Sequence, residues 1–396
     1  MTGLVMTAGG ARGAYQAGVL KRIGELRAFR GGASPFAVVA GASAGAINGA
    51  MVASGTLDFA QATRSLASIW ARLEMGAVVR TDAVALGRGG LGLARDLALG
   101  GLLGHTVSRG LLDASPLYAL LANVIPLAGI PDAIRQGRLY AAALTATSYH
   151  SGRSYTFVQG RRGHPVWKKS RRVVLPVELT AEHVCASAAI PLVFPPVRIS
   201  SLAGNLWFGD GALRLVTPLS PAIRLGASRL LAIGVRSSRA ADALSRAELN
   251  EAIACPPLAQ VCGVFLNAIF LDHLDTDLDH LRRMNELIDA YGGGDPPAGS
   301  VSEPMRTVAA LSFGPSEDLA LVARQFAHRM PRVLRWLMEG LGTPDAESAD
   351  LMSYLLFDGA FTRALIDIGY RDAAARIDEI EAFLRDDETV ASREAG

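Results

Sequence analysis

Gly41-Ala42-Ser43-Ala44-Gly45 stands between an apolar run, residues 36–40, and a small-residue segment, residues 46–54. The run reads as a buried β-strand of about five residues. The segment reads as the first turns of a helix. Strand, G-x-S-x-G and helix together make a nucleophile elbow, a turn so tight that glycine is needed where the backbone passes itself. Such a turn lifts the Ser43 hydroxyl clear of the sheet edge and aims the N-terminus of the following helix at it. In a chain with 42 glycines the bare motif recurs by chance, so the flanking strand and helix give it meaning.

Working outward, residues 4–7 read as a strand that ends at Ala8-Gly9-Gly10-Ala11-Arg12-Gly13. A helix follows, with Tyr15, Val19, Leu20, Ile23 and Leu26 at helical spacing. Strand, loop, helix, strand, elbow, helix is a βαβα opening and implies a parallel sheet covered by helices. Further strands are expected at residues 139–145, 154–159, 206–208, 230–235 and 308–313. A helix over 182–189 is stopped by Pro191, Pro195 and Pro196. Leu271, Leu274, Leu278, Leu281 and Ile288 form a stripe too short for a coiled coil, which reads as helix packing. Residues 291–304, with Gly-Gly-Gly and Pro-Pro, read as a loop. From residue 315 onward the chain reads mainly as helices, and no internal repeat is visible.

Two stretches admit two readings each. Residues 76–112 are rich in Gly and Leu, with Arg80, Arg88, Arg95 and Arg109 between them. They read as irregular helices packed on the core, or as a mobile lid at a lipid surface. Residues 151–176 carry no acid, while Arg153, Arg161, Arg162, Lys168, Lys169, Arg171 and Arg172 are all basic. That run is a solvated hairpin and loop, or a face toward anionic lipid.

The whole chain sets outer bounds. Its 396 residues, half of them hydrophobic and 19% charged, supply a large core and argue against extensive disorder. A net charge of +2 argues against a nucleic-acid partner. Cys185, Cys255 and Cys262 are too few and too irregular for a disulfide framework or a zinc site. No uninterrupted apolar stretch reaches the ~20 residues that cross a bilayer. The N-terminus lacks a basic region ahead of its short apolar run, so no signal peptide is read there. The expectation is a soluble, cytoplasmic protein, with peripheral membrane contact as an option.

Serine becomes a nucleophile only when a base takes its proton and a nearby site holds the oxyanion. Gly9, Gly10 and Ala11 follow a strand and open a helix, so their amides can converge on an anion. A nucleotide phosphate cradle is the alternative, but A-x-G-x-x-G is an imperfect dinucleotide fingerprint and lacks the acidic residue about 20 positions on. For the base, His273, His280 and His328 sit inside helical patterns. Asp210 directly follows a strand and precedes Gly211, where a carboxylate in a dry site can take a proton. Taken alone, Asp210-Gly211 is also an ordinary turn.

Four pieces in order resemble the patatin-like phospholipase family. They are the loop Gly9-Gly10-Ala11-Arg12-Gly13, the elbow at Ser43, Ala186-Ser187-Ala188-Ala189-Ile190-Pro191 with Phe194-Pro195-Pro196-Val197, and Asp210-Gly211-Ala212. Ser353-Tyr354-Leu355-Leu356-Phe357-Asp358-Gly359 is a weaker likeness to bacterial members. The resemblance implies a three-layer α/β/α sandwich with a mainly parallel sheet and a helical C-terminal portion. It divides the chain into a catalytic domain over 3–235, a helical insertion with an additional core strand over 236–315, and a helical extension over 316–396. It implies a Ser43–Asp210 dyad, an oxyanion hole at Gly9, Gly10 and Ala11, and no metal or cofactor. Arg12 would steady the loop or the substrate phosphate. The implied activity is hydrolysis of phospholipid or lysophospholipid esters. A thioesterase or general esterase using the same dyad, a non-catalytic lipid-binding scaffold and a histidine-dependent hydrolase are the alternatives. Two positions depart from the pattern: Ala8 opens the glycine run, and Val216 stands where an asparagine is common.

Overall fold

Thr2–Met6 forms β1, and all five of its residues are buried, as a strand covered on both faces requires. Val38–Ala42 forms β2 and pairs with β1 in parallel, so that Met6 lies beside Gly41. The computed structural model describes residues 1–80, 110–169, 171–200, 206–237, 258–291, 305–331, 335 and 349–394. Most of the stretch with the two lid readings, the loop expected after residue 291, and Cys255 lie outside these residues.

The remaining strands are β3 (Ala141–Ser148), β4 (Ser154–Gly160), β5 (Lys168–Lys169), β6 (Arg172–Pro176), β7 (Val197–Arg198), β8 (Trp207–Gly209), β9 (Arg229–Ile233) and β10 (Ala309–Phe313). All join one sheet in the order β10-β9-β1-β2-β3-β4-β6-β5, with β8 pairing to β3 and β7 to β8. From β10 to β3 every neighbour is parallel. Antiparallel pairing enters at β4 and β8, both on β3. The sheet therefore draws β10 from well beyond residue 235.

Alternate residues along the strands point to opposite faces. Leu4, Met6, Val39, Leu231 and Ile233 enter one apolar cluster, while Val5, Val38, Ala40, Leu230 and Ala232 enter another. Helices cover both faces and make three layers. The labelled helices are α1 (Gly13–Gly24), α2 (Ala44–Ser54), α3 (Phe59–Ala71), α4 (Ser115–Val124), α5 (Ala181–Ser187), α6 (Leu258–Phe270), α7 (Asp272–Tyr291), α8 (Ala349–Leu355), α9 (Gly359–Ala375) and α10 (Ile377–Glu394). Of the apolar stripe, Leu274, Leu278, Leu281 and Ile288 belong to α7, where Leu274 and Leu278 are buried in the cluster of Leu219, Leu225 and Leu230, while Leu271 precedes the helix and joins the other cluster. α9 returns from the far end of the chain to α1 and α3, and its Thr362 hydroxyl donates to the Trp70 carbonyl at 2.6 Å.

Apart from Arg153, which precedes β4, the basic run falls on β5, β6 and the turns beside them, at the sheet edge opposite β10. Charged residues on an edge strand discourage pairing with another chain. Cys185 is buried, Cys262 is half-buried, and both are free thiols.

Candidate active site

β2 ends at Ala42, and the next residue, Ser43, has φ 56° and ψ −126°. This is a region that L side chains rarely adopt, and occupying it costs on the order of 1–3 kcal/mol. A Cβ on Gly41 would collide with the Gly45 carbonyl, and one on Gly45 with the Met6 carbonyl, so both motif glycines are sterically required. The turn is clamped from α5. The Ser43 N–H donates to Ser187 Oγ at 3.0 Å, and the Ser187 hydroxyl donates to the Thr145 carbonyl at 2.5 Å. The Ser43 carbonyl in turn accepts from the Ala46 and Ile47 N–H groups, which starts α2.

Asp210 arrives beside Ser43 because β3 outlasts β2. The last β2–β3 pair is Ala42 with Thr145, while β3 continues to Ser148. β8 pairs antiparallel along the exposed end of β3, placing Gly209 opposite Thr147. The residue after Gly209 is thereby carried to the elbow. Its backbone is fixed at both ends, since the Asp210 N–H donates to the Ala189 carbonyl at 2.9 Å and the Thr147 hydroxyl donates to the Asp210 carbonyl at 2.8 Å.

The Asp210 carboxyl is completely buried. Its Oδ1 accepts from the Ala212 N–H at 2.9 Å, while Oδ2 has no hydrogen-bond partner among the described residues. Burial pushes the carboxyl up to about 7, against the opposing pull of the Ser43 hydroxyl and the Ala212 N–H. The serine is thus near enough to favour the charged carboxylate, yet the orphaned Oδ2 shows that no regular hydrogen bond has closed. The two side chains are adjacent, and Asp210 Oδ2 stays open. Val216 is 54% exposed and gives Asp210 no hydrogen bond.

The glycine loop completes this side of the sheet. Gly10 has φ +54°, and a Cβ there would run into the Tyr354 carbonyl. No backbone acceptor among the described residues takes the N–H groups of Gly9, Gly10 or Ala11. Arg12 is turned away to the C-terminal helices and is only 3% exposed. Its Nε donates to Ser353 Oγ and its Nη2 to Asp350 Oδ1, both at 2.7 Å, while its guanidinium lies 4.3 Å from the Tyr354 ring centre. These contacts engage the side chain with α8.

Other polar residues of the site carried no signal in the motifs. Gln16 donates to the Thr7 and Ile233 carbonyls at 3.0 Å, tying the start of the loop to the end of β9. Asn48 donates to the Gly13 carbonyl and to Gln16 Oε1, and accepts from the Trp70 indole N–H at 2.8 Å. The sequence hint of this network is slight, one amide on each of two helices rich in small and apolar residues.

Ser43 and Gly10 both line an apolar slot walled by α2, α3 and α4, with Met51, Leu66, Trp70, Leu121 and Phe194 among its side chains. Its free volume is about 40 Å³. No histidine among the described residues lines it. His280 and His328 are exposed and His273 half-buried. His183 is buried and held neutral, its pKa lowered to about 4 by burial, with Nδ1 taken up at the N-terminus of α5 by Thr180.

The profile of the Patatin-like phospholipase family matches residues 4–223, a span that holds the Gly10 loop, the elbow and Asp210. The chain belongs to this family. Among solved structures, this patatin-like phospholipase chain is similar to VipD from Legionella pneumophila, at 14% identity and a TM-score of 0.32, covering 92% of this chain and 66% of that one. It is also similar to human GIVD cytosolic phospholipase A2 in complex with methyl gamma-linolenyl fluorophosphonate. There the identity is 14% and the TM-score 0.40, over 97% of this chain and 59% of that one. The type III effector protein ExoU matches at 15% identity and a TM-score of 0.28, over 88% of this chain and 73% of that one. The chain thus spans about three fifths to two thirds of the length of the first two. No curated protein matches it.

Proposed function

We propose that this patatin-like chain hydrolyses carboxylic esters of phospholipids or lysophospholipids through a dyad of Ser43 and Asp210. The observation that carries the reading is the buried Asp210 carboxyl, one oxygen unsatisfied, set against a serine held in a strained turn on an apolar slot. In its ionised form Asp210 accepts the Ser43 proton as Oγ bonds to the ester carbonyl carbon. The electron pair of the carbonyl moves onto its oxygen, and the N–H groups of Gly9, Gly10 and Ala11, for which no backbone acceptor stands among the described residues, hold that charge in this scheme. The tetrahedral centre collapses, the C–O bond to the alcohol breaks, and Asp210 returns the proton to the departing oxygen. Water then repeats the sequence on the acyl-serine, with Asp210 again taking the proton, and releases the fatty acid. The family supports a lipid substrate, and the apolar walls of the slot suit an acyl chain.

The test is labelling by an alkyl fluorophosphonate, with lipid turnover measured in parallel. Wild type labels and cleaves; Ser43→Ala does neither; Asp210→Asn folds but reacts slowly. Equal labelling of wild type and Ser43→Ala removes Ser43 from the scheme. Turnover of acyl-CoA in preference to lysophospholipid would move the substrate class to thioesters.

A further inference from the structure

Beside the apolar slot lies a second pocket of about 430 Å³, and the two share Leu73 and Phe357 as a common wall. Its chemistry is the reverse of the slot's. Three arginines line it, Arg72 and Arg363 from the end of α3 and the first turns of α9, and Arg329 from the segment before α8. The anions present are Glu74 and Asp358. Asp358 is committed, because its Oδ1 accepts from Arg329 Nε at 2.7 Å and from the Ala360 N–H at 2.9 Å. Arg363 spends one donor, Nη1, on the Ala71 carbonyl at 2.7 Å. Arg72 is exposed and has no ion-pair partner among the described residues. The pocket therefore keeps one formal positive charge in excess and guanidinium nitrogens without partners around a concave space.

We infer that this pocket, formed by Arg72, Arg329 and Arg363 where it adjoins the slot, binds a phosphate group, that of the substrate's headgroup. The inference rests on the lipid reading of Ser43. A glycerophospholipid carries an apolar chain and a phosphate diester or monoester, separated from the scissile ester by a short glycerol bridge. The two adjoining pockets repeat that division: an apolar channel on one side of Phe357, a cationic one on the other. Guanidinium is suited to the second, since its planar fork meets two phosphate oxygens at once. An ammonium at the same place would offer a point charge only.

The experiment compares a lysophosphatidic acid with the monoacylglycerol of the same chain, by kcat/KM and by equilibrium binding to Ser43→Ala protein. Wild type should favour the phosphate-bearing lipid, and the ratio should fall about tenfold in Arg72→Gln, the loss of one charge-assisted contact at a half-open site. Arg329→Lys, which keeps a cation for Asp358 but loses the fork, should lower the ratio by less. Raising the salt should also shrink it, since exposed charges are screened. Inorganic phosphate is the second probe. If it competes with the lysophosphatidic acid in wild type and not in Arg72→Gln, the pocket takes free phosphate as well; if only the lipid discriminates, it is a headgroup site. A ratio unchanged in both Arg72→Gln and Arg363→Gln overturns the inference. Turnover by Ser43→Ala would instead sink the dyad, and the binding ratio would still decide the pocket.

Discussion

Replacing Asp210 with asparagine should stabilise the protein, and increasingly so as the pH rises. The carboxyl is wholly enclosed, and burial lifts it from an ordinary 3.8 to about 7. At about 1.4 kcal/mol per pH unit, that rise amounts to roughly 4 kcal/mol of native stability lost once the group is ionised. The sign follows from proton counting. Between 3.8 and about 7 the folded protein holds a proton on Asp210 that the unfolded chain has released, so stability falls as pH rises through that window. Asparagine keeps the shape and the Ala212 contact but has no charge to bury. From pH 5 to pH 8, the accessible part of the window is worth about 3 kcal/mol. For a chain of 396 residues, with an unfolding entropy near 2.1 cal/mol/K per residue, this is about 3 °C in Tm. The assay is thermal unfolding of wild type and Asp210→Asn in matched buffers across that range, followed by tryptophan fluorescence. Other titrating groups cancel in the difference between the two proteins. A difference that stays constant or narrows toward pH 8 would refute the buried, proton-holding carboxyl.

The same carboxyl must be ionised to act, so kcat/KM should climb through about pH 7 and level off above it, and a flat profile from pH 5.5 to 8.5 would remove Asp210 as base. Gly10→Ala forces a side chain into the Tyr354 carbonyl at a positive φ and displaces the loop; kcat should drop by at least about a hundredfold in a lipid hydrolysis assay, with Ser43 still present. Ser187→Ala leaves the Thr145 carbonyl and the Ser43 N–H without their shared partner and should cost about 2 kcal/mol in urea unfolding, with kcat reduced more than KM is raised. Dialysis against a chelator should leave the rates unchanged, since the proposed steps use only Ser43, Asp210 and backbone N–H groups.

The elbow was legible because its chemistry is local. Strand, two obligatory glycines and helix lie within about twenty residues, and nothing distant is needed to read them. The parallel sheet followed from the same order of elements. Asp210 by its own residues reads as a turn that could present a base, and only the family resemblance sets it beside Ser43, because its position depends on β3 running past the end of β2, a matter of relative strand length. Ser187 lay inside a motif that was noticed, yet its role as the clamp on the elbow is a contact across 144 residues of sequence. Arg12 shows the same limit. Its sequence neighbours suggest a loop residue or a phosphate ligand, while its partners, Asp350 and Ser353, stand more than 330 positions away. Position along a chain reports local conformation well and long-range pairing poorly.

The bracket between Arg12 and α8 has a consequence in time. The loop that faces Ser43 leaves the ribosome well before the residues that hold it in place, which follow 338 positions later for Asp350. A nascent chain can build the early strands and the elbow well before it can pin Gly10 against the Tyr354 carbonyl. For a protein whose proposed substrate is a membrane-forming lipid, competence then waits until α8 has been made. Synthesis itself becomes a safety catch.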